Sequence, residues 1–232
     1  MKNNNNVLPI DKASNILVVG KTADNISNQN GGWSITWQGT GNTNADFPYA
    51  TSILSGFKDA VSGTTGKITF SEDGAQANNN YDVIIAVIGE TPYAEGMGDI
   101  KPDQTLSFAS HYPQDAALLA KLKASAPDVP VVTVYVGGRP LWMNPEINRS
   151  DAFVAAWLPG TEGNGVADVL FGDFDFHGKL SFSWPKTDCQ VPLNRNDGQQ
   201  PLFPYGYGLT DNDHTMIPTL SEDTSSTGCS NQ

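Results

Sequence analysis

Cationic side chains are scarce in this sequence: 13 Lys and Arg stand against 25 Asp and Glu, for a net charge of −12 at pH 7. A binder of the nucleic-acid backbone needs a basic patch or stripe, so nucleic acid is excluded as a partner. Docking on anionic lipid is excluded for the same reason. Neutral sugars stay compatible, because they are held by hydrogen bonds and apolar platforms rather than by opposite charge. Long apolar runs are missing as well. None approaches the ~18 residues of a membrane-crossing helix, so no membrane insertion is expected, and the opening MKNNNNVLPIDKASN has no apolar stretch of signal-peptide type. Cysteine is limited to Cys189 and Cys229, which fits one disulfide or two thiols and shows no metal-ligand spacing. Compartment therefore stays open. Nucleotide and hydrolase signatures are also lacking: Val19-Gly20-Lys21 is followed by Thr-Ala-Asp rather than G-x-G-x-x-G, and neither a phosphate loop nor a G-x-S-x-G elbow occurs. No cofactor and no metal site are expected.

What is present is a series of apolar runs stopped by glycine or proline. Ile16–Gly20, Lys67–Phe70, Asp82–Ile88, Val129–Val136, Phe153–Trp157 and Leu180–Trp184 read as six strands. Most are continuous runs, as expected of parallel strands covered on both faces. Between them, Ile53, Leu54, Phe57 and Val61 share one helical face. Asp115–Ala124 and Gly165–Phe171 also read as helices, the former closed off by Pro127. The predicted fold is an α/β sandwich: a six-stranded, mainly parallel sheet flanked by helices in three layers. Asn3–Asn6 read as a low-complexity lead-in, residues 24–48 as a long loop, and the Ser/Thr-rich stretch from Asp211 as a tail or linker. Residues 1–11, 12–210 and 211–232 are thus expected to be linker, folded domain and tail.

Open α/β sheets bind ligands beyond the carboxyl ends of their strands. After the 82–88 strand, Gly89-Glu90-Thr91-Pro92-Tyr93-Ala94-Glu95-Gly96-Met97-Gly98-Asp99 offers three carboxylates and a tyrosine. It reads either as a catalytic loop or as an acidic surface loop, and spacing alone does not say which carboxylate acts. After the 16–20 strand, GGWSITWQG places Trp33 and Trp37 in a polar, glycine-rich setting. Such indoles either fill the core or stack on the C–H face of a pyranose, with nearby Gln, Asn and Asp to satisfy hydroxyls. Trp142 is open to the same two readings. Arg139, after the 129–136 strand, is placed to orient a carboxylate or hydroxyls, or to form an ordinary ion pair. Glu162, in a second glycine-rich turn, is placed to bond backbone amides or face a neighbouring domain. Asp173 and Asp175 alone are weak evidence for a cation.

Five ordered segments then resemble one family: Ile35-Thr-Trp37-Gln-Gly39, the 89–99 segment, Ala155–Phe174, Gly178–Pro185 and Pro204–Leu209. They are similar to the second domain of glycoside hydrolase family 3 exo-β-glucanases and β-glucosidases, over about residues 6–210. The resemblance implies a six-stranded α/β sandwich that follows a TIM-like barrel, with the active site between the two. It implies that Glu95, rather than Glu90, is the general acid/base, and that Trp37 stacks on the aglycone-side sugar. Trp33 and Arg139 are then expected as further substrate contacts, with Glu90, Tyr93, Asp99 and Glu162 in support. Expected partners are β-glucans or β-gluco-oligosaccharides and a barrel domain in cis or in trans; the expected location is periplasmic or secreted.

The chemistry so implied is retaining hydrolysis of terminal β-D-glucosyl residues. A barrel aspartate attacks the anomeric carbon while Glu95 protonates the departing oxygen, and Glu95 then deprotonates water. Retention requires the two carboxyls roughly 5–5.5 Å apart, and a proton-carrying glutamate needs its pKa raised, by burial when the barrel closes. The Ser-Asp-Trp-type nucleophile segment is not in this sequence, nor are the ~250 residues of a barrel. The chain is accordingly expected to be half of a site, inactive alone. The alternative is a non-catalytic carbohydrate-binding or scaffold module of the same fold.

Overall fold

The structure, a computed structural model, describes residues 1–101, 103–224 and 229. In chain order the elements are β1 (Lys2–Asn3), β2 (Asn15–Val19), α1 (Ile26–Asn30), α2 (Ile53–Val61), β3 (Lys67–Phe70), β4 (Val83–Gly89), α3 (Phe108–His111), α4 (Pro113–Ser125), β5 (Val131–Val136), α5 (Asn144–Asn148), β6 (Ala152–Trp157) and α6 (Gly163–Leu170). The strands form one sheet in the order β1-β6-β5-β4-β2-β3. All neighbours run parallel except β1, which lies antiparallel against the start of β6.

Strand alternation distributes the apolar side chains to two cores. Ile16, Val18, Ile85, Val87, Val132 and Val134 face α2 and α6. Leu17, Val19, Ile84, Ala86, Ile88 and Tyr135 face α4 and α5. Each such side chain contributes roughly 1.5–3 kcal/mol when fully buried, which is why β2, β4 and β5 carry no polar face. In α2, Ile53, Leu54, Phe57 and Val61 are all buried, and Ser52 caps the helix by accepting from the Ser55 N–H. Proline opens α4 at its first helical position, where its missing N–H costs nothing. This is the three-layer α/β/α sandwich the apolar runs predict.

Three local readings differ. Leu180–Trp184 is not a strand of the sheet. Leu180 and Trp184 bond instead to Tyr207 and Phe203, in a local antiparallel contact. The period-2 pattern is real, since Trp184 is buried and Phe182 is 62% exposed, but the edge of β6 is occupied by β1. Asn3–Asn6, expected to carry no element, therefore contributes Asn3 to the sixth strand. The third difference is α1, inside the expected 24–48 loop. Its one apolar residue, Ile26, gives no periodicity, and its buried polar side chains are satisfied individually. Gln29 accepts from Ile53 N and donates to the carbonyls of Thr51 and Gly160.

Residues 211–224 contain no helix or strand, yet they are held. Asn4 exchanges two side-chain hydrogen bonds with the backbone of Ile217, and Asn148 does the same with Leu220. Cys189 and Cys229 form a disulfide across 40 residues, which resolves the pairing that composition left open. The rest of the expected tail, 225–228 and 230–232, lies outside the described residues.

Candidate active site

β2 and β4 are sheet neighbours whose chain connections leave in opposite directions, β2 toward the β3 edge and β4 toward β5. A crevice at such a reversal, beyond the carboxyl ends of the strands, is where open α/β sheets bind ligands. The two loops that flank it here are the 20–52 connection and the 89–107 connection, the ones that carry the tryptophans and the acidic cluster.

The tryptophans are displayed, not buried. Trp33 N donates to Trp37 O at 2.8 Å and Thr36 N to Ser34 O at 2.7 Å, so a γ-turn centred on Ile35 closes a five-residue loop. Trp33 and Ile35 hold φ near +60°. That costs on the order of 1–3 kcal/mol per residue and persists only where the surroundings enforce it. The indoles are 70% and 57% exposed, with centroids 6.2 Å apart and planes at 45°. Trp142, by contrast, is buried in the core, with its N–H on Lys186 O.

Glu95 meets this platform directly: Trp37 Nε1 donates to Glu95 Oε2 at 2.8 Å. The indole N–H, followed by the residue's own backbone N–H, holds the Glu95 carboxyl below the usual carboxylate range. Glu95 is exposed, so burial does little to offset that lowering. Backbone proximity makes the meeting possible. A Cβ at Gly32 would run into the Tyr93 carbonyl, so only glycine lets the two loops touch there.

Glu90 has a different environment. It is 3% exposed; Oε1 accepts from Arg139 Nε at 2.9 Å, and Oε2 accepts from Gly138 N and Tyr93 Oη, each at 3.0 Å. The Arg139 guanidinium lies 4.4 Å over the Tyr93 ring and also bonds the Gly98 carbonyl. Burial first, then the Glu90 charge, push the Tyr93 hydroxyl upward, so it remains a donor. Glu90, Tyr93 and Arg139 are thus brought together as a clamp at the foot of the 89–99 loop. Asp99 is exposed, its Oδ1 3.4 Å from Gly96 N within the same loop. Glu162 stands apart at the start of α6, accepting from the Thr161 hydroxyl rather than from backbone amides. Asp173 pairs with Lys12, and Asp175 accepts from Asp211 N. Among the described residues no group of three acidic, His or Cys side chains is arranged for a metal, and no helix is long and apolar enough to cross a membrane.

A cavity of about 270 Å³ opens between the two loops, lined among others by Asn28, Trp33, Glu90, Tyr93, Gly138 and Leu158. Glu95 and Trp37 do not line it; they stand beside it, with Trp33 common to both. One residue of the site was missed by sequence reasoning. Gln38, expected at most to meet a hydroxyl, instead accepts from Ala94 N at 2.7 Å and donates to Glu95 O at 3.1 Å. Its only sequence signal is that it follows Trp37.

Residues 1–210 match the glycosyl hydrolase family 3 C-terminal domain. The chain is 34% identical to a lysosomal β-glucosidase of Dictyostelium discoideum over 90% of its length, covering 28% of that protein. It is 30% identical to a periplasmic β-glucosidase of Salmonella typhimurium over 97% of its length, covering 35% of that protein. The solved structure of an exo-1,3/1,4-β-glucanase from a Pseudoalteromonas species superposes with a TM-score of 0.91 at 56% identity, over 97% of this chain and 28% of that one. The chain therefore spans 28–35% of the length of these relatives.

Proposed function

The chain belongs to the glycosyl hydrolase family 3 C-terminal domain family, and from that premise we propose that it is the acid/base-bearing domain of a retaining, exo-acting β-glucosidase or β-glucan glucohydrolase. Glu95 donates the proton to the departing glycosidic oxygen and then takes one from water. Trp37 stacks on the sugar beyond the scissile bond, with Trp33 beside it. A family 3 barrel domain, in cis or in trans, supplies the nucleophilic aspartate and closes over Glu95. The observation that carries this reading is the 2.8 Å contact between the Trp37 indole and the Glu95 carboxylate at the mouth of the β2–β4 crevice. It joins an apolar sugar platform to a proton-transfer group within one side chain's reach.

Closure also reconciles the Glu95 electrostatics. Exposed, the carboxyl is held low; covered by the barrel and an apolar sugar face, it loses water and its pKa rises. An extracytoplasmic setting, periplasmic or secreted, is part of the proposal. It is supported by the Cys189–Cys229 disulfide, a bond that persists in oxidising compartments, and by the periplasmic location of the Salmonella relative.

The test is complementation. The chain alone hydrolyses no aryl β-glucoside above background; joined to or mixed with a family 3 barrel it does, and Glu95→Gln removes most of the gain on an aryl glucoside with a poor leaving group. Undiminished activity of Glu95→Gln on that substrate removes the assignment. The exposure of both indoles in the domain by itself favours one second reading, a carbohydrate-binding module. That reading requires calorimetric heat on titrating gluco-oligosaccharides into the chain, weakened by Trp37→Ala; heats no larger than dilution sink it.

A further inference from the structure

Glu95 occupies a stretch with little internal support. Between Tyr93 and Gly98 there is no helix or strand. Of the hydrogen bonds that close the turn, Gly98 N to Ala94 O is 2.9 Å, while Asp99 N to Gly96 O and Gly96 N to Asp99 Oδ1 are 3.4 Å. The Glu90–Arg139–Tyr93 clamp grips the foot of the loop at residue 90 and its far end at Gly98, not the residue that carries the acid. Apart from the Gly98 N–Ala94 O bond within the turn, what reaches the 94–95 backbone is the Gln38 side chain.

We propose that Gln38 is the positioning residue of Glu95: its primary amide fixes the backbone of residues 94–95 and so delivers the Glu95 carboxylate to the Trp37 indole. Oε1 accepts from Ala94 N and Nε2 donates to Glu95 O, so one planar amide ties the loop on both sides of the Ala94–Glu95 peptide. Related two-point amide contacts, there to the N–H and carbonyl of a single residue, hold Leu8 on Asn3, Ile217 on Asn4 and Leu220 on Asn148.

Gln38 is suited to the task by its own anchorage. It is half-buried, and the next residue, Gly39, donates to Thr36 O and accepts from the Ser27 hydroxyl of α1. Because Trp37 and Gln38 are consecutive, one anchored stretch of chain holds Glu95 twice, by its carboxylate and by its carbonyl. Without that grip an exposed glutamate keeps its rotamer freedom, which must be given up before it can act. A displacement of ~1 Å in a reacting group is enough to cost about a hundredfold in rate. The proposal rests on the acid/base reading only in giving Glu95 a reaction to be positioned for; the hydrogen-bond claim stands apart from it.

The experiment uses the ¹⁵N-labelled 232-residue chain. The Trp37 indole N–H resonance is followed against pH, with Glu95→Gln to show that the titration it reports belongs to Glu95. In Gln38→Ala, with dispersed spectra confirming the fold, the indole titration loses its amplitude and its midpoint moves up toward that of an ordinary glutamate. An indole titration in Gln38→Ala that matches the unaltered chain in amplitude and midpoint overturns the proposal. If Gln38→Ala does not fold, hydrogen exchange of the Ala94 amide in the unaltered chain decides alone. Protection of about tenfold is expected from its bond to Gln38, and exchange at the unprotected loop rate contradicts it. A barrel-complemented enzyme indifferent to Glu95→Gln would remove the reaction while leaving both of these outcomes intact, so the two failures are distinguishable.

Discussion

Glu95 and Glu146 are carboxyls shifted in opposite directions, the first by a hydrogen-bond donor and the second by burial. The indole of Trp37 keeps Glu95 low, so replacing it with a ring that cannot donate should raise the titration midpoint. In Trp37→Phe, carboxyl ¹³C NMR is expected to place Glu95 above its value in the unaltered chain; an unchanged midpoint would show that the indole contact is not formed in solution. Glu146 on α5 is 1% exposed with neither oxygen hydrogen-bonded. Burial, ahead of every other influence, raises it from 4.5 to about 7. A raised carboxyl favours the protonated fold, so its contribution to stability is full below pH 4.5 and is lost as pH rises through about 7. The difference between those two values corresponds to about 3 kcal/mol. Urea denaturation from about pH 4.5 to about pH 8 should show this decline in the unaltered chain and not in Glu146→Gln; parallel pH profiles would refute it.

At the scale of elements, what could be read from the sequence was set by whether burial imposes a pattern. β2, β4 and β5 are covered on both faces, so each is a continuous apolar run with little ambiguity, and α2 shows its face because only one side of it is covered. α1 could not be read because all but one of its buried residues are polar, with Gln29 satisfied by partners such as Ile53 and Gly160. β1 could not, because its two residues, Lys2 and Asn3, join the sheet through residues some 150 positions away. The site divides the same way. The loops after β2 and β4 were legible as strand-end segments, whereas the Gln38 contacts span 56 and 57 residues and leave no local trace. Packing of α2 against α6 supplies an element-scale prediction. A Cβ at Gly56 would lie 2.8 Å from Gly163 O and 2.9 Å from Asn164 N. Alanine is the better helix former by about 1 kcal/mol, yet Gly56→Ala is expected to lower the melting temperature, because the helices must part to admit it. A higher melting temperature would mean that α2 and α6 are not in close contact.

Across the described residues the fold is a scaffold tied by a long-range disulfide and left open at its strand tips. The Cys189–Cys229 bond spans 40 residues, and chain-entropy reasoning assigns a crosslink of that length about 4 kcal/mol. Reduction, or Cys189→Ser, is expected to move the urea midpoint down accordingly, whereas a midpoint unaffected by reductant would show that the bond is not formed. At the other pole, beside the crevice between β2 and β4, stand two exposed indoles and the Glu95 carboxyl, held low by one of them; under the proposed function that carboxyl becomes a proton donor only when the barrel covers it. The decisive measurement is therefore made on the chain completed with a family 3 barrel, comparing Glu95→Gln with the unaltered enzyme on aryl β-glucosides of poor and good leaving groups. If Glu95 is the acid/base, the variant loses about 10²–10⁴-fold on the poor leaving group and much less in the glycosylation step with the activated one, and azide restores turnover as β-glucosyl azide. Equal losses on both substrates with no azide product would contradict the account.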